Sequence, residues 1–443
     1  MQRSLWLRRS AAVTALAISL TACGSDDPTG TTGTDGATDA ATDGATDGGT
    51  DMGSHEPDGV VKFGYILPES GQLADIGLGT PQIKAVEYAI SLISAAGGIN
   101  GQTDIEVVTG DEAGDASLAS QAAQRQLGLG VDAIIGAASS GMSASFVDAV
   151  TSAGVLQCSG SNTAPNLSDI DDNGGYYIRT APTDALQGPV LADAIVADGH
   201  TNIAILARAD DYGQGLLDST QGALEAAGAT VVASSTYDPN AATFSAEVEQ
   251  VKNSGADAVV LIAFGEGGQI IKEMIESGLG PDQIALYGAD GVKSDTLWEA
   301  VDPSNAAVIE GMKGTAPFFG DDEGSTFIAG LIEFAPELAD ATTIFAAQVY
   351  DCVNIIALAM ELADSDAGQA VVDAILDVTN GGTACADFAE CKALIEAGTD
   401  IDYVGATGVE FSDKGEPLSG VYEIWEIDSA GVPQTLSTTT STL

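Results

Sequence analysis

The segment VLQCSGSNTAPNL, residues 155–167, places hydroxyl side chains directly after an apolar run. Ser159, Ser161 and Thr163 stand close together, and Pro165 ends the turn. Such hydroxyls could supply a nucleophile, or they could hold a bound anion through hydrogen bonds. The other polar clusters of the chain help to decide between these two chemistries.

Three further polar clusters follow apolar runs in the same way. They are Ser139-Ser140-Gly141, Asp211-Tyr212-Gly213 and Glu266-Gly267-Gly268. In a parallel α/β sheet such positions lie at the carboxyl ends of the strands, where ligands bind and helix N–H groups point outward. Hydroxyls and N–H donors would gather on one part of the molecule, and carboxylates with a phenol on another. This distribution suits a zwitterion, whose two charges need opposite partners.

A serine hydrolase would require a general base beside one of these hydroxyls. The chain has two histidines, of which His55 lies in a polar N-terminal segment and His200 at a predicted helix end. No Gly-x-Ser-x-Gly motif frames the candidate serines. The hydroxyls are therefore interpreted as a binding cradle, which needs donors and no base, and we expect no enzymatic activity.

Motifs for a cofactor or a metal are incomplete. FGEGGQ, residues 264–269, shares glycines with a dinucleotide fingerprint but carries Glu266 where a pyrophosphate would approach. Residues 169–174 match the first half of a calcium loop, but Thr180 stands where a bidentate Glu is required, so a polar surface turn is preferred. Zinc is disfavoured because the five cysteines are scattered without a neighbouring histidine. We expect no cofactor and no metal.

The N-terminal region is expected to lie outside the fold. Three arginines precede a short apolar stretch that ends in Leu20-Thr21-Ala22-Cys23, and together they indicate an export signal over residues 1–22. Leu-Thr-Ala-Cys resembles the bacterial lipoprotein box, in which the signal is cut before the cysteine and Cys23 becomes lipidated. The alternative is an ordinary signal with a chance cysteine. Residues 23–59, rich in Thr, Asp and Gly, predict a disordered tether behind the anchor.

The remaining cysteines fall into two kinds. In an exported chain, the spacing of Cys385 and Cys391 favours a disulfide that closes a small loop. Cys158 and Cys352 lie in apolar runs and are expected to be buried thiols rather than a second bridge.

The charge balance is strongly acidic. Lys and Arg number 14 against 65 Asp and Glu, which gives a formal net charge of −51. A field of this sign repels phosphate backbones and anionic lipid headgroups, so nucleic acid is excluded as a partner. The same excess of acids would be screened in concentrated salt, which suggests a saline habitat.

From Val60 onward, short β-branched runs alternate with amphipathic stretches, the pattern of βαβ units with parallel sheets. The predicted strands are Val61–Leu67, Asp104–Val108, Ala133–Ala137, Val155–Cys158, Asn202–Ala207, Thr230–Ser234, Ala258–Phe264 and Ile284–Tyr287. The predicted helices are Thr80–Ala96, Ala116–Leu127, Ala185–Ala197, Gly213–Ala227, Phe244–Asn253 and Gln269–Ser277. A polar interruption near Asp169–Gly175 and a turn at Pro182 separate two α/β lobes. Thr342–Ile395 is predicted to be mostly helical, Val421–Ile427 a last strand and 433–443 a polar tail.

Four motifs resemble the Leu/Ile/Val-binding protein family in order and spacing. They are GGING (Gly97–Gly101), RTAPTDALQG (Arg179–Gly188), DDYGQG (Asp210–Gly215) and YGADG (Tyr287–Gly291). The resemblance runs from about Lys62 to Ile427. Its members are solute-binding proteins of ABC importers with the type I periplasmic binding protein fold.

The resemblance implies two Rossmann-like α/β lobes joined by a three-crossing hinge, which close on a ligand. The crossings would lie near Pro182, Gly291 and Lys414. The first lobe would then comprise 60–182 and 292–414, and the second 183–291 and 415–432.

The resemblance also implies the ligand-binding residues. The ligand carboxylate would meet Ser139, Ser161 and Thr163, the ammonium would meet Tyr212, Glu266 and Asp290, and the side chain would meet Phe318 or Phe319. Structural alternatives are that the hydroxyls only cap helices and that Glu266 only interacts with a helix dipole. Ile76 stands where family members for branched amino acids often carry Tyr.

These implications define the expected function. We expect a monomeric, lipid-anchored extracytoplasmic protein that delivers an amino acid, aliphatic or branched, to the permease subunits of an ABC importer. The alternative within the same fold is a protein that binds an amide, urea or an aromatic acid, or a sensor without transport.

Overall fold

The computed structural model describes residues 58–319, 322–339 and 341–443. The predicted signal peptide, Cys23 and most of the predicted tether lie outside the described residues.

The first lobe is built on a five-stranded parallel sheet with the order β2-β1-β3-β4-β5. Its strands are β1 (Lys62–Ile66), β2 (Glu106–Val108), β3 (Ala133–Gly136), β4 (Leu156–Ser159) and β5 (Tyr177–Arg179). The helices between them are α1 (Gln72–Asp75), α2 (Gly79–Ala95), α3 (Ala116–Gly128), α4 (Ser140–Ala144) and α5 (Val147–Ser152). β3 and β4 are buried along their whole length, which explains why they read as continuous apolar runs.

The second lobe is built on a seven-stranded sheet with the order β14-β13-β10-β9-β8-β6-β7. Its strands are β6 (Asn202–Arg208), β7 (Thr230–Tyr237), β8 (Ala258–Ile262), β9 (Ala285–Gly288), β10 (Lys313–Pro317), β13 (Ser419–Ile427) and β14 (Pro433–Thr442). Its helices are α6 (Asp184–Ala197), α7 (Asp211–Ala226), α8 (Ser245–Ser254), α9 (Gly267–Glu276) and α10 (Leu297–Val301). The β10–β13 and β13–β14 pairs are antiparallel and the others are parallel.

The later part of the chain returns to the first lobe as a group of helices. These are α11 (Asp322–Phe334), α12 (Ala346–Ala363), α13 (Gly368–Thr379) and α14 (Phe388–Glu396), with a small parallel pair formed by β11 (Thr383–Cys385) and β12 (Ile401–Tyr403). α12 packs against α2, β3 and β4. It is long and apolar enough to cross a membrane, but 83% of it is buried within the protein, which is typical of a core helix.

Two expectations about chain organisation are wrong. Lys313–Pro317 pairs with β9, so the chain remains in the second lobe beyond Gly291 and crosses back only after Pro317. Residues 433–443 are not a polar tail, because Pro433–Thr442 forms a strand that pairs with β13 at the sheet edge. Its exposed Thr and Ser side chains concealed this strand from a search for apolar runs.

A buried ion pair ties two of the crossings together. Arg179, the last residue of β5, pairs with Glu416 in the segment that leads into β13. The Arg179 backbone N–H also donates to the Gly415 carbonyl at 2.9 Å. The first and third crossings therefore lie side by side, near Pro182 and Lys414.

Two disulfides lie in the first lobe. The predicted bond between Cys385 and Cys391 is present. Cys158 and Cys352 are also bonded, so the expectation of free thiols is wrong. β4 and α12 pack against each other in this apolar region. The two cysteines therefore lie close enough to form a bond, with 5.8 Å between their Cα atoms.

Candidate functional site

A narrow cleft, which encloses about 20 Å³, is lined by residues of both lobes. The first lobe contributes Ser139, Ser140 and Ser161 with several apolar side chains, and the second contributes Tyr212, Phe264, Asp290 and Gly291. Of the eight predicted ligand-binding residues, Ser139, Ser161, Tyr212 and Asp290 line this cleft. A space of this size holds little more than one water molecule, so a larger ligand requires the lobes to move apart.

The Ser139 side chain presents a free hydroxyl at the cleft. Ser139 is the N-cap residue of α4, but its side chain makes no capping hydrogen bond. Its Oγ is buried and has no hydrogen-bond partner among the described residues. A buried hydroxyl without a partner is costly, so this atom is available to a ligand oxygen.

The neighbouring hydroxyls have different tasks. Ser159 Oγ donates to the Ala137 carbonyl at 2.7 Å and accepts from the Asn162 backbone N–H, so it shapes the turn. Ser161 Oγ lies 3.0 Å from Gln82 Oε1. Thr163 lies behind the cleft rather than in its lining, and its carbonyl accepts from the Asp184 N–H at 2.7 Å.

Helix α12 fixes the position of this turn. A Cβ atom at Gly160 would lie 2.5 Å from the Val349 backbone nitrogen, so only glycine permits this approach. The bond between Cys158 and Cys352 joins the same two elements a short distance away. The turn that carries Ser161 is therefore held against a core helix, as preorganised binding requires.

The second lobe faces the cleft with a carboxyl group and a phenol. Asp290 Oδ1 accepts from Gln187 Nε2 at 2.8 Å and from the Tyr212 hydroxyl at 3.2 Å. Tyr212 stacks on Phe264 with 5.2 Å between the ring centroids. Burial raises the pKa of Asp290 to about 6, opposed by the hydrogen bond from Gln187. Asp290 is therefore largely ionised at neutral pH and carries a negative charge at the cleft.

Asp184, which the sequence did not single out as a site residue, lies beside Asp290. It is fully buried, and neither carboxyl oxygen has a hydrogen-bond partner within 3.5 Å among the described residues. Burial and the charge of Asp290 raise the pKa of Asp184 well above its usual value, while the Thr163 hydroxyl opposes the shift. The Asp184 carboxyl group is therefore biased toward its protonated form beside Asp290. Asp184 lies within the RTAPTDALQG motif, so this motif could have identified it as a candidate site residue.

Glu266 does not line this cleft. Its Oε1 accepts from Arg208 Nη1 at 2.9 Å and from the Tyr237 hydroxyl at 3.1 Å, and its Oε2 accepts from the Phe264 N–H. Burial raises the pKa of Glu266, opposed chiefly by the charge of Arg208. The positive group that contacts Glu266 is therefore the guanidinium of Arg208, in the place where a ligand ammonium was expected. No local pattern indicates this pair, because Arg208 ends β6, 58 residues before Glu266.

The apolar wall also differs from the expectation. Phe318 and Phe319 are half-buried and lie outside the cleft, where the Phe318 N–H continues the pairing with β13 by donating to Val421. Phe345 lines the cleft instead, together with Leu73 and Leu78. Phe345 adopts the left-handed conformation, φ 66°, directly before α12. A bulky residue at positive φ is unusual and often marks a functional position.

The histidine among the described residues lies outside the cleft. His200 Nδ1 lies 3.5 Å from Asp257 on the second lobe and does not line the cleft. Within the described ranges, no group of three or more His, Cys, Asp or Glu side chains is placed to hold a metal ion.

Comparison with known proteins gives relatives of one kind. The chain is 28% identical over 390 residues to the chemotactic signal transduction system substrate-binding protein BasB of Halobacterium salinarum, a match that covers 84% of this chain and 88% of BasB. It is 28% identical over 249 residues to Leu/Ile/Val-binding protein homolog 3 of Brucella melitensis, covering 56% of this chain. That second match spans 65% of the relative's own length.

Solved structures show the same fold. The branched-chain amino acid transporter substrate-binding protein LivJ of Streptococcus pneumoniae, in complex with isoleucine, superposes with a TM-score of 0.69 at 20% identity, covering 87% of this chain and all of LivJ. A solute-binding protein of an ABC transporter from R. palustris, in complex with 4-hydroxybenzoate, gives 0.70 at 17% identity, covering 87% of this chain and 98% of the other.

The family model described as periplasmic binding protein matches residues 60–391, which is most of the chain and includes nearly every residue of the cleft. The protein therefore belongs to the periplasmic binding protein family, a family of extracytoplasmic solute-binding proteins and not of enzymes, with the type I fold.

Proposed function

We propose that this protein captures an α-amino acid between its lobes and delivers it to an ABC importer. One observation carries the proposal: the cleft has a free hydroxyl donor, Ser139 Oγ, on one lobe and an ionised carboxyl group, Asp290, on the other. An α-amino acid carries the two complementary charges on one carbon. Binding both would draw the lobes together, which is how hinge-bending binding proteins trap ligands.

The ligand carboxylate would be held by the first lobe. Ser139 Oγ is free to donate, and Ser161 Oγ could redirect its hydrogen bond from Gln82 to the ligand. Thr163 would act from behind the cleft, by fixing the crossing through its contact with Asp184.

The ligand ammonium would be held by the second lobe. We assign this role to Asp290 and Tyr212 rather than to Glu266, which Arg208 occupies. Charge-assisted hydrogen bonds contribute roughly 1.5–3 kcal/mol each, and micromolar affinity requires about 8 kcal/mol. A few such bonds together with apolar burial are sufficient.

The side chain of the ligand would meet an apolar wall. Leu73, Leu78, Phe264 and Phe345 line the cleft, and this surface favours aliphatic side chains. Relatives named for leucine, isoleucine and valine, and a structural neighbour with bound isoleucine, support this choice.

The setting would be the outer face of a bacterial membrane. We propose that Cys23 carries the lipid anchor and that the folded protein acts as a monomer at the end of its tether. The two disulfides support an oxidising compartment, where such bonds persist.

A sensor role is the second candidate. It is favoured by the match to BasB, a chemotactic substrate-binding protein that aligns over 84% of this chain. In that case the closed protein would signal to a membrane receptor instead of a permease.

The test of the proposed function is calorimetric titration of the purified protein with the twenty amino acids, 4-hydroxybenzoate and urea. We expect binding of at least one L-amino acid and no binding of its N-acetyl derivative, which lacks the ammonium. Binding of 4-hydroxybenzoate alone would overturn the amino-acid assignment and leave the fold assignment intact.

A further inference from the structure

A second compartment adjoins the ligand cleft. It encloses about 20 Å³, so a ligand group enters it only when the lobes move apart, and it shares Leu73, Ser139 and Phe264 with the cleft. Its polar side chains are Gln72, Glu112 and Ser139 from the first lobe and Arg208 from the second. Because the two spaces share Leu73 and Phe264, which belong to the apolar wall for the ligand side chain, that side chain would lie next to this second compartment.

Glu112 presents an unsatisfied oxygen to this space. The side chain is fully buried between β2 and α3, and its Oε2 accepts from the backbone N–H groups of Ala138 at 2.8 Å and Ser139 at 3.4 Å. Its Oε1 has no hydrogen-bond partner among the described residues. A buried carboxyl oxygen without a partner is costly, and a ligand donor would remove that cost.

Arg208 presents a free N–H group to the same space. Its Nε pairs with Asp210, and its Nη1 donates to Glu266 at 2.9 Å and to Gln72 of the first lobe at 3.3 Å. The guanidinium lies 3.6 Å over the Phe264 ring. Nη2 makes no hydrogen bond to another described residue. The Nη2 group of Arg208 is therefore available to donate a hydrogen bond to a ligand acceptor.

The local charge disfavours a ligand carboxylate at this point. Two carboxylates, Asp210 and Glu266, already neutralise Arg208 and leave an excess of one negative charge. Asp111 adds to the negative potential at Glu112. A ligand group here must therefore be neutral and must offer an acceptor to Arg208 and a donor to Glu112, whose carboxyl group releases its proton on binding because its folded pKa is about 8. A planar carboxamide has this combination, with its oxygen and its NH₂ on one carbon.

We propose that Glu112 and Arg208 form a specificity subsite for a side-chain carboxamide, so that L-glutamine or L-asparagine binds more tightly than L-leucine. The inference rests on the proposed function, since it requires the α-amino acid to be held at Ser139 and Asp290. It changes the expected side chain of the proposed function from an aliphatic one to one that ends in an amide.

The experiment compares four ligands on the purified full-length protein by calorimetry: L-glutamine, L-asparagine, L-glutamate and L-leucine. We expect one of the two amides to bind at least about tenfold more tightly than leucine or glutamate, the value of one good hydrogen bond to a charged group. Glu112→Gln keeps an acceptor for Ala138 and Ser139 but turns an NH₂ group toward the compartment. This variant should lose that advantage for the amide and change leucine affinity by less than about twofold.

Two controls separate specificity from folding. Glu396→Gln changes an exposed residue at the end of α14 that lines neither compartment, and it should leave all four affinities unchanged.

Proton release on binding, measured in buffers of different ionisation enthalpy, gives a second readout. Burial raises the pKa of Glu112 to about 8, and an amide that prefers the ionised form should release a proton near pH 7, whereas leucine should not. Asp111 and Arg208 are the charged groups that act on Glu112 and are unchanged in the variant.

The outcomes are distinct. Leucine or glutamate binding as tightly as both amides, or Glu112→Gln weakening leucine as much as the amide, would overturn the subsite and leave the amino-acid cleft in place. If none of the four ligands binds while 4-hydroxybenzoate or urea does, the proposed function itself fails and the subsite fails with it.

Discussion

Arg208 Nη1 lies 2.9 Å from Glu266 Oε1, and both side chains are almost fully buried where the second lobe faces the first. This internal pair takes the place that the sequence assigned to a contact between Glu266 and the ligand ammonium. A buried ion pair whose partners also hold Asp210 and Tyr237 is a structural unit. In the proposed function, the negative charge that meets the ligand ammonium is that of Asp290.

The pair makes a prediction for Glu266→Gln. The change leaves Arg208 beside a weaker acceptor, so the free energy of unfolding should fall by about 1–3 kcal/mol, while amino-acid affinity changes by less than about threefold. Chemical denaturation and calorimetry measure the two quantities. Glu276→Gln, at the exposed end of α9, is the matched control and should alter neither. A large loss of amino-acid affinity without a change in stability would show that Glu266 contacts the ligand.

Asp290→Asn should weaken amino-acid binding by at least about tenfold, because it removes the ionised partner of the ammonium. In the unmodified protein, affinity should also decline as the pH falls below about 6, where Asp290 becomes protonated. Asp184, Gln187 and Tyr212 surround this carboxyl group and set its pKa.

The control for this prediction is Asp282→Asn, an exposed position in the turn before β9. It should leave both the affinity and its pH profile unchanged. Affinity that stays constant from pH 5 to pH 7.5 in the unmodified protein would contradict the role of Asp290.

Much of the fold followed from the sequence because burial on both faces produces continuous apolar runs. β8, AVVLI, is buried at every residue and was predicted within two residues of its observed end. β10 and β14 were missed because their residues, KGTAP and PQTLSTTTST, carry few apolar side chains. β10 is held by pairing with β9 and with β13, which lies far from it in the sequence, and β14 is held by pairing with the preceding strand β13.

The candidate site was predictable only in part, for a related reason. Ser139, Ser161, Tyr212 and Asp290 follow strands, and the topology brings the ends of those strands together. Phe345, Glu112 and Arg208 reach the cleft or its neighbour through packing between lobes, which no spacing in the chain encodes. The side-chain wall and the polar subsite therefore had to come from the structure.

Glu112 predicts a pH dependence of stability. Its folded pKa of about 8 lies above the usual value of 4.5, so the folded protein binds the proton more tightly than the unfolded chain. The stabilisation that this proton gives is fully present below about pH 4.5 and is lost as the pH rises through about 8. Stability should thus fall across this window, and Glu112→Gln should flatten the slope by at most about 1.4 kcal/mol per pH unit.

Urea denaturation at several pH values between 5 and 8.5 measures this slope. Asp351, buried beneath Tyr403 and Thr407 with its pKa raised to about 6, contributes in the same direction and remains in the variant. Equal slopes in the two proteins would show that Glu112 is ionised in the folded state at neutral pH.

The two disulfides should differ in their effect on stability. Cys158 and Cys352 are separated by 194 residues, and Cys385 and Cys391 by 6. Because a cross-link restricts the unfolded chain more when the loop is longer, replacing the first pair by alanine should cost about 2–5 kcal/mol and the second pair less. Guanidinium denaturation of the two double variants provides the comparison. A larger loss from the short loop would show that local packing outweighs loop entropy here.

The acidic composition predicts a strong dependence on salt. With 65 acids against 14 Lys and Arg, the folded surface carries a large excess of one sign, and bringing these charges together on folding costs free energy at low ionic strength. The Debye length falls from about 10 Å at 0.1 M to about 3 Å at 1 M, so most of this repulsion should be screened within that interval. The midpoint of thermal unfolding should rise steeply up to about 1 M KCl and more slowly beyond it.

Potassium chloride is the suitable salt because a sulfate would also strengthen apolar burial and obscure the electrostatic part. A midpoint that stays constant or falls between 0.1 and 1 M KCl would contradict the inference of a saline habitat and would indicate that the acids are already compensated in the folded protein.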